Sequence, residues 1–149
     1  MSLADTLKQD MKDALRAGDK ERLSVLRMAL AAVKQREVDS RETLTDEAVT
    51  ALIEKMIKQG RDALQQFEAA GRAELAAKEA AEIAILQSYL PEPLDPAALD
   101  ALIAETIAAT GATSMKDMGR VMALIKDRAA GRVDMATVNV RVRAALTGG

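Results

Sequence analysis

Glu79 is the acid whose position most needs explaining. At about 100° per residue of helix, it falls between Leu75 and Ile83, on the face of its segment that should turn inward. A carboxylate held there either acts on a ligand or is neutralised by a basic neighbour, because a buried unpaired charge is costly. The structural reading is an ion pair, and Arg27, which borders the apolar stripe of its own helix, is the expected partner. Two acid pairs, Asp46 with Glu47 and Glu79 with Glu82, could do acid–base work if their surroundings separated their pKa values. The rest of the composition argues against catalysis. The chain has no His and no Cys, hence no imidazole base, no thiolate nucleophile and no disulfide. Ser and Thr are present without an evident base. No EF-hand or similar ligand spacing appears. We therefore expect no catalytic residue, no metal and no cofactor.

The second set of residues with chemical potential is cationic. Residues 92–111 hold Glu92, Asp95, Asp100 and Glu105 and no Lys or Arg. Residues 112–149 hold seven cations against three acids, a local excess of +4 in a chain whose formal net charge is −2. Lys116 and Arg120 stand one turn apart, opposite an apolar stripe, and so face solvent. Such a cluster either holds phosphates or only solvates a face. The expected phosphate-contacting surface is centred on Lys116, Arg120, Arg128 and Arg132, with Arg141 and Arg143 at its edge. Phe67 and Tyr89 are the only aromatics, too few for base stacking, so any such contact reads backbone and shape.

These side chains need positioning elements, and the elements read as helices. The chain of 149 residues suits one domain, or one domain with a small second lobe. Apolar residues recur every three to four positions, and no β-branched run alternates with period two. Leu3, Leu7, Met11 and Leu15 mark a first helix ended near Gly18. Asp19 caps a second, with Leu23, Leu26, Leu30 and Val33 inward, and 39–44 reads as a loop. Thr45 caps a third, with Val49, Ile53, Met56, Leu64 and Phe67 inward and Gly60 in the same stripe. A fourth runs from about 72 to 88 with Leu75, Ile83 and Leu86 inward. All three prolines then fall within YLPEPLDP, where no helix can continue. Asp95 and Pro96 open a fifth helix that stops at Gly111. Ser114 with Asp117 resembles a capping box opening a sixth, with Gly131 after its end. Asp134 caps a seventh carrying Val138, Val142 and Leu146. The expected fold is all-α: a four-helix lobe over 1–90, a stiff Pro-rich hinge at 91–96, and a three-helix lobe over 97–149.

No apolar run approaches the length of a membrane span. The N-terminus carries acids, unlike a signal or transit peptide. The expectation is a cytoplasmic protein with no membrane partner.

The runs QFEAAGRAELAAKEAAEIAILQSYLP, GATSMKDMGRVM and GRVD resemble the YqeY-like proteins of the GatB/YqeY family, over nearly the whole chain. Gly60 stands where that family tends to have Arg, and Met135 where a Gly is usual. The resemblance implies a small all-helical protein whose C-terminal part is related to the tail of the aminoacyl-tRNA amidotransferase B subunit, which helps hold tRNA while chemistry happens on another domain. It therefore implies association with tRNA. Three readings stay open: a non-catalytic accessory module contacting tRNA phosphates through the C-terminal lobe, a protein-interaction module docking on the amidotransferase or an aminoacyl-tRNA synthetase, and an enzyme of unknown chemistry. The family label of a carbon–nitrogen ligase with glutamine as amido donor finds neither an ATP-binding signature nor an ammonia-generating nucleophile in this chain.

Overall fold

The helical periodicity is realised throughout. The computed structural model describes residues 1–148, and among these it is all-α, with seven α-helices and one 3-10 turn. Gly149, the end of the expected C-terminal lobe, lies outside the described residues. The chain divides into two compact units, Met1–Leu90 and the residues from Pro91 on.

The first unit holds α1 (Leu3–Ala17), α2 (Lys20–Ser40), α3 (Asp46–Ala69) and α4 (Ala73–Gln87). Ser2 caps α1 in a reciprocal box with Asp5, and the two Ser2 hydrogen bonds hold the Asp5 carboxyl below its ordinary pKa. Asp19 and Thr45 cap α2 and α3 by accepting the amides of Arg22 and Ala48. Gly18 ends α1 at φ 73°, a left-handed conformation that costs glycine little. Leu7, Val25, Leu26, Val49, Ile53 and Leu86 lie in one buried cluster drawn from all four helices.

Three details differ from the sequence expectation. The second helix continues through Ser40, because Gln35 donates to Asp39 four residues on and supports the last turn. The short connection that follows is fastened by the Leu44 amide donating to Glu37. Leu15, expected inward, is 59% exposed, and Ala14 is buried instead. Each step of four residues drifts by about 40° around a helix, so Leu15 sits about 80° from Leu7. Leu75, in the first turn of α4, is exposed as well.

The second unit holds α5 (Pro96–Thr110), a 3-10 turn (Met115–Asp117), α6 (Met118–Arg128) and α7 (Met135–Thr147). Asp95 accepts the Ala98 amide, and Pro96 occupies the first turn, where its missing N–H costs nothing. Ser114 and Asp117 do not form a capping box. Ser114 accepts the Lys116 amide and Asp117 accepts the Thr113 amide, so the pair builds the 3-10 turn that precedes α6. Leu99, Ile103, Val121, Ile125, Val138 and Val142 form this unit's core. Thr106 is fully buried among them, its hydroxyl satisfied by the Leu102 carbonyl at 2.7 Å. The segment before α5 is tied into the same unit. The Leu94 amide donates to the Arg132 carbonyl, the Arg132 Nε donates to the Glu92 carbonyl, and the Leu94 side chain packs against the core.

Candidate functional site

The six cations expected to meet phosphate divide into two sets. Arg120 donates to the Thr110 carbonyl and to Asp117 at 3.2 Å. Arg132 is taken up by the Glu92 carbonyl, and Arg141 reaches across to Asp100 on α5 at 2.6 Å. These three guanidinium groups join parts of the second unit to one another. Lys116, Arg128 and Arg143 are exposed, and their side chains form no hydrogen bond or ion pair with another described residue. Lys126, at the last turn of α6, is in the same state. Lys126 and Arg128 also suit the negative end of the α6 dipole. The acid-rich α5 is thus partly neutralised from within, and the cations left over point to solvent.

In the first unit, Glu79 does turn inward and is half-buried. Arg27 makes no ion pair with it. The inward face of α2 is set by Val25, Leu26, Ala29 and Val33, and Arg27 lies about 145° from the centre of that face. It is exposed. Glu79 instead faces Gly60 on α3: a Cβ at that glycine would stand 3.0 Å from its Oε1 and 3.0 Å from Ile83 Cγ1. Gly60 is buried, and its missing side chain lets α3 and α4 approach. Beside it opens a cleft of about 160 Å³, lined among others by Met28, Met56, Gly60, Glu79, Glu82 and Leu86. Burial raises the Glu82 pKa, and repulsion from Glu79 and Glu21 adds to this against the opposing pull of Lys78. Among the described residues no group of three acids is placed to hold a metal ion.

A further cluster in this unit has no counterpart in the sequence reading. Tyr89, just after α4, donates its hydroxyl to Asp10 on α1 at 2.6 Å and accepts from Arg22 on α2 at 2.9 Å. The Arg22 guanidinium also lies 5.8 Å from the ring centroid. Arg22 was legible in principle: it precedes Val25 and Leu26 by three and four residues and so shares their face. Burial and the bond to Asp10 push the Tyr89 pKa up to about 12. A raised folded-state pKa means that this group's contribution to stability is whole below about pH 10, the unfolded value, and is lost as pH rises through about 12. Tyr89 is the only tyrosine and there is no tryptophan. A near-ultraviolet tyrosinate titration therefore reads it alone, and we expect a midpoint near 12. An ordinary midpoint near 10 would show the knot to be open in solution.

Residues 4–146 match the family described as Yqey-like protein. The chain belongs to that family. Among the relatives of this Yqey-like chain are proteins named "Altered inheritance of mitochondria protein 41, mitochondrial" from three fungi. The one from Eremothecium gossypii is 36% identical over 104 residues, 69% of this chain and 54% of the relative. The one from Kluyveromyces lactis is 39% identical over 84 residues, 56% of this chain and 45% of the relative. The one from Pyrenophora tritici-repentis is 31% identical over 142 residues, 92% of this chain and 77% of the relative. The match thus spans about half the length of the first two. Within the Yqey-like chain, the YLP run supplies the tyrosine of the Asp10–Tyr89–Arg22 cluster, and DMGRVM supplies Arg120 and the start of α6. Met135 opens α7 and packs against the second core. No helix among the described residues is long and apolar enough to cross a membrane.

Proposed function

We propose that the chain is a non-catalytic accessory module that associates with tRNA and contacts its phosphates through the second unit. The observation that carries this reading is the set of exposed cations without a partner among the described residues, Lys116, Lys126, Arg128 and Arg143, left after Arg120, Arg132 and Arg141 are spent on internal contacts. The proposed set keeps three of the six residues named from sequence, Lys116, Arg128 and Arg143, and adds Lys126. Arg suits the role because its planar fork donates two hydrogen bonds to one phosphate. The resemblance to the amidotransferase tail names tRNA as the RNA, with the amidotransferase or a synthetase as the protein it would work beside. The cytoplasm is the proposed compartment; a mitochondrial address belongs to the fungal relatives' names.

The test is tRNA binding by the full chain across a salt series. Three to four phosphate contacts predict that log affinity falls with log salt at a slope of about −3, since each contact on duplex RNA or DNA contributes about −0.9. Little preference among tRNA species is expected. Absence of binding at low salt would reject the RNA reading and favour the protein-interaction one.

A further inference from the structure

The cleft of the first unit plays no part in the RNA reading, and its chemistry is opposite in sign. Its walls are Met28 from α2, Met56 from α3 and Leu86 from α4, with the Gly60 backbone among them. Glu79 and Glu82 are half-buried on its α4 side. Neither carboxylate forms a hydrogen bond or an ion pair with another described residue. No buried side-chain oxygen among the described residues is left unsatisfied, so both carboxylates remain open to water and within reach of an incoming cation. Glu21 adds a third negative charge felt at Glu82, against the opposing pull of Lys78.

We propose that this cleft is a docking site for a basic amphipathic helix of a protein partner, which seats one Lys or Arg side chain between Glu79 and Glu82. Three observations select this occupant. The volume, about 160 Å³, takes one long side chain; sites for whole small molecules run to about 300–1,000 Å³. Apolar walls leading to carboxylates match a side chain whose methylene stem is apolar and whose tip is charged. Met28 on the rim of the cleft is 54% exposed, and exposed Leu75 stands one turn before Glu79 on α4. A helix presenting apolar residues one turn either side of its cation would cover both. Methionines adapt to such partners by changing rotamer. Phosphate is excluded by the same acids, so the site is not a second RNA surface.

The probe is a synthetic amphipathic Leu–Lys helix, with a Leu–Glu helix of the same pattern as control, added to the full chain carrying methyl-labelled Met. Binding of the Leu–Lys helix should shift the Met28 and Met56 methyl signals and leave Met115, Met118 and Met122 of the other unit in place. The Leu–Glu helix should shift none. Glu79→Gln with Glu82→Gln should weaken the Leu–Lys helix about fivefold, the scale of two partly exposed ion pairs. Glu42→Gln with Glu105→Gln, an equal change of charge elsewhere, should leave its affinity unchanged. Four results would overturn the proposal: no shift at Met28 and Met56, equal binding of the Leu–Glu helix, equal weakening by both double variants, or Met28 and Met56 shifts that grow with protein concentration alone, which would assign the face to a second copy. None of these depends on RNA, so the proposal and the tRNA reading fail separately.

Discussion

Replacing Leu26 by Ala is expected to lower the stability of the first unit by about 2–5 kcal/mol, the range for emptying a closed leucine site. Leu26 is fully buried among side chains of the four-helix cluster. Its neighbours Leu7, Val49 and Ile53 are fixed by helices that pack on several sides, so the site cannot collapse freely around the missing carbons. The aromatic content is 1%, so no large ring is at hand to fill the space. For a domain whose whole stability is about 5–15 kcal/mol, the loss is severe without being fatal. Urea unfolding combined with amide hydrogen exchange checks it. Protection should fall across residues 1–90, while amides around Val121, Ile125 and Val138, members of a core that shares no residue with the first, keep theirs. A loss below about 1 kcal/mol, typical of surface changes, would show that Leu26 does not sit in a closed core.

Reversing Lys116 and Arg128 together to Glu is expected to weaken tRNA binding about tenfold or more at moderate salt. It should also flatten the salt dependence by about two contacts' worth, a slope change of about 1.8. Both side chains are exposed and neither holds another of the described residues, so helical content should be unchanged. That choice is cleaner than reversing Lys116 with Arg120. Arg120 bonds the Thr110 carbonyl and Asp117, and its reversal would place an acid beside Asp117 and loosen the turn that opens α6. Equal binding by parent and Lys116→Glu/Arg128→Glu at low salt would remove the second unit from any RNA contact.

The contrast between Arg120 and Arg128 shows what sequence spacing can and cannot supply. Both positions read as exposed cations, and both are exposed. Arg120 is held by Asp117, three residues away and legible from spacing, but also by a carbonyl ten residues upstream, which is not local. Helix starts were legible because capping acts within three residues, as at Asp19, Thr45 and Asp95. Inward faces were less so. The Leu23–Leu26–Leu30–Val33 stripe placed the centre of α2 too far round the helix, because Ala29, small and buried, carries little weight in a hydrophobic pattern yet marks where a neighbouring helix comes close. That rotation moved Arg27 to the rim and hid Arg22, whose partners are Asp10 on α1 and Tyr89 in the turn after α4. The inward turn of Glu79 was legible from its angle alone. What it meets, a glycine rather than a base, was not.

The bonds that join Glu92 and Leu94 to Arg132 decide where the C-terminal piece of this chain can be cut. A fragment starting at Pro96 would look complete by its helices, yet it would leave the Arg132 guanidinium and carbonyl without their mates and uncover the patch that Leu94 shields. One starting at Pro91 keeps all three. The proline-rich stretch is in this respect a leader that any transplanted copy of the three-helix module must carry with it, and a fusion or excision boundary belongs ahead of it, next to Leu90.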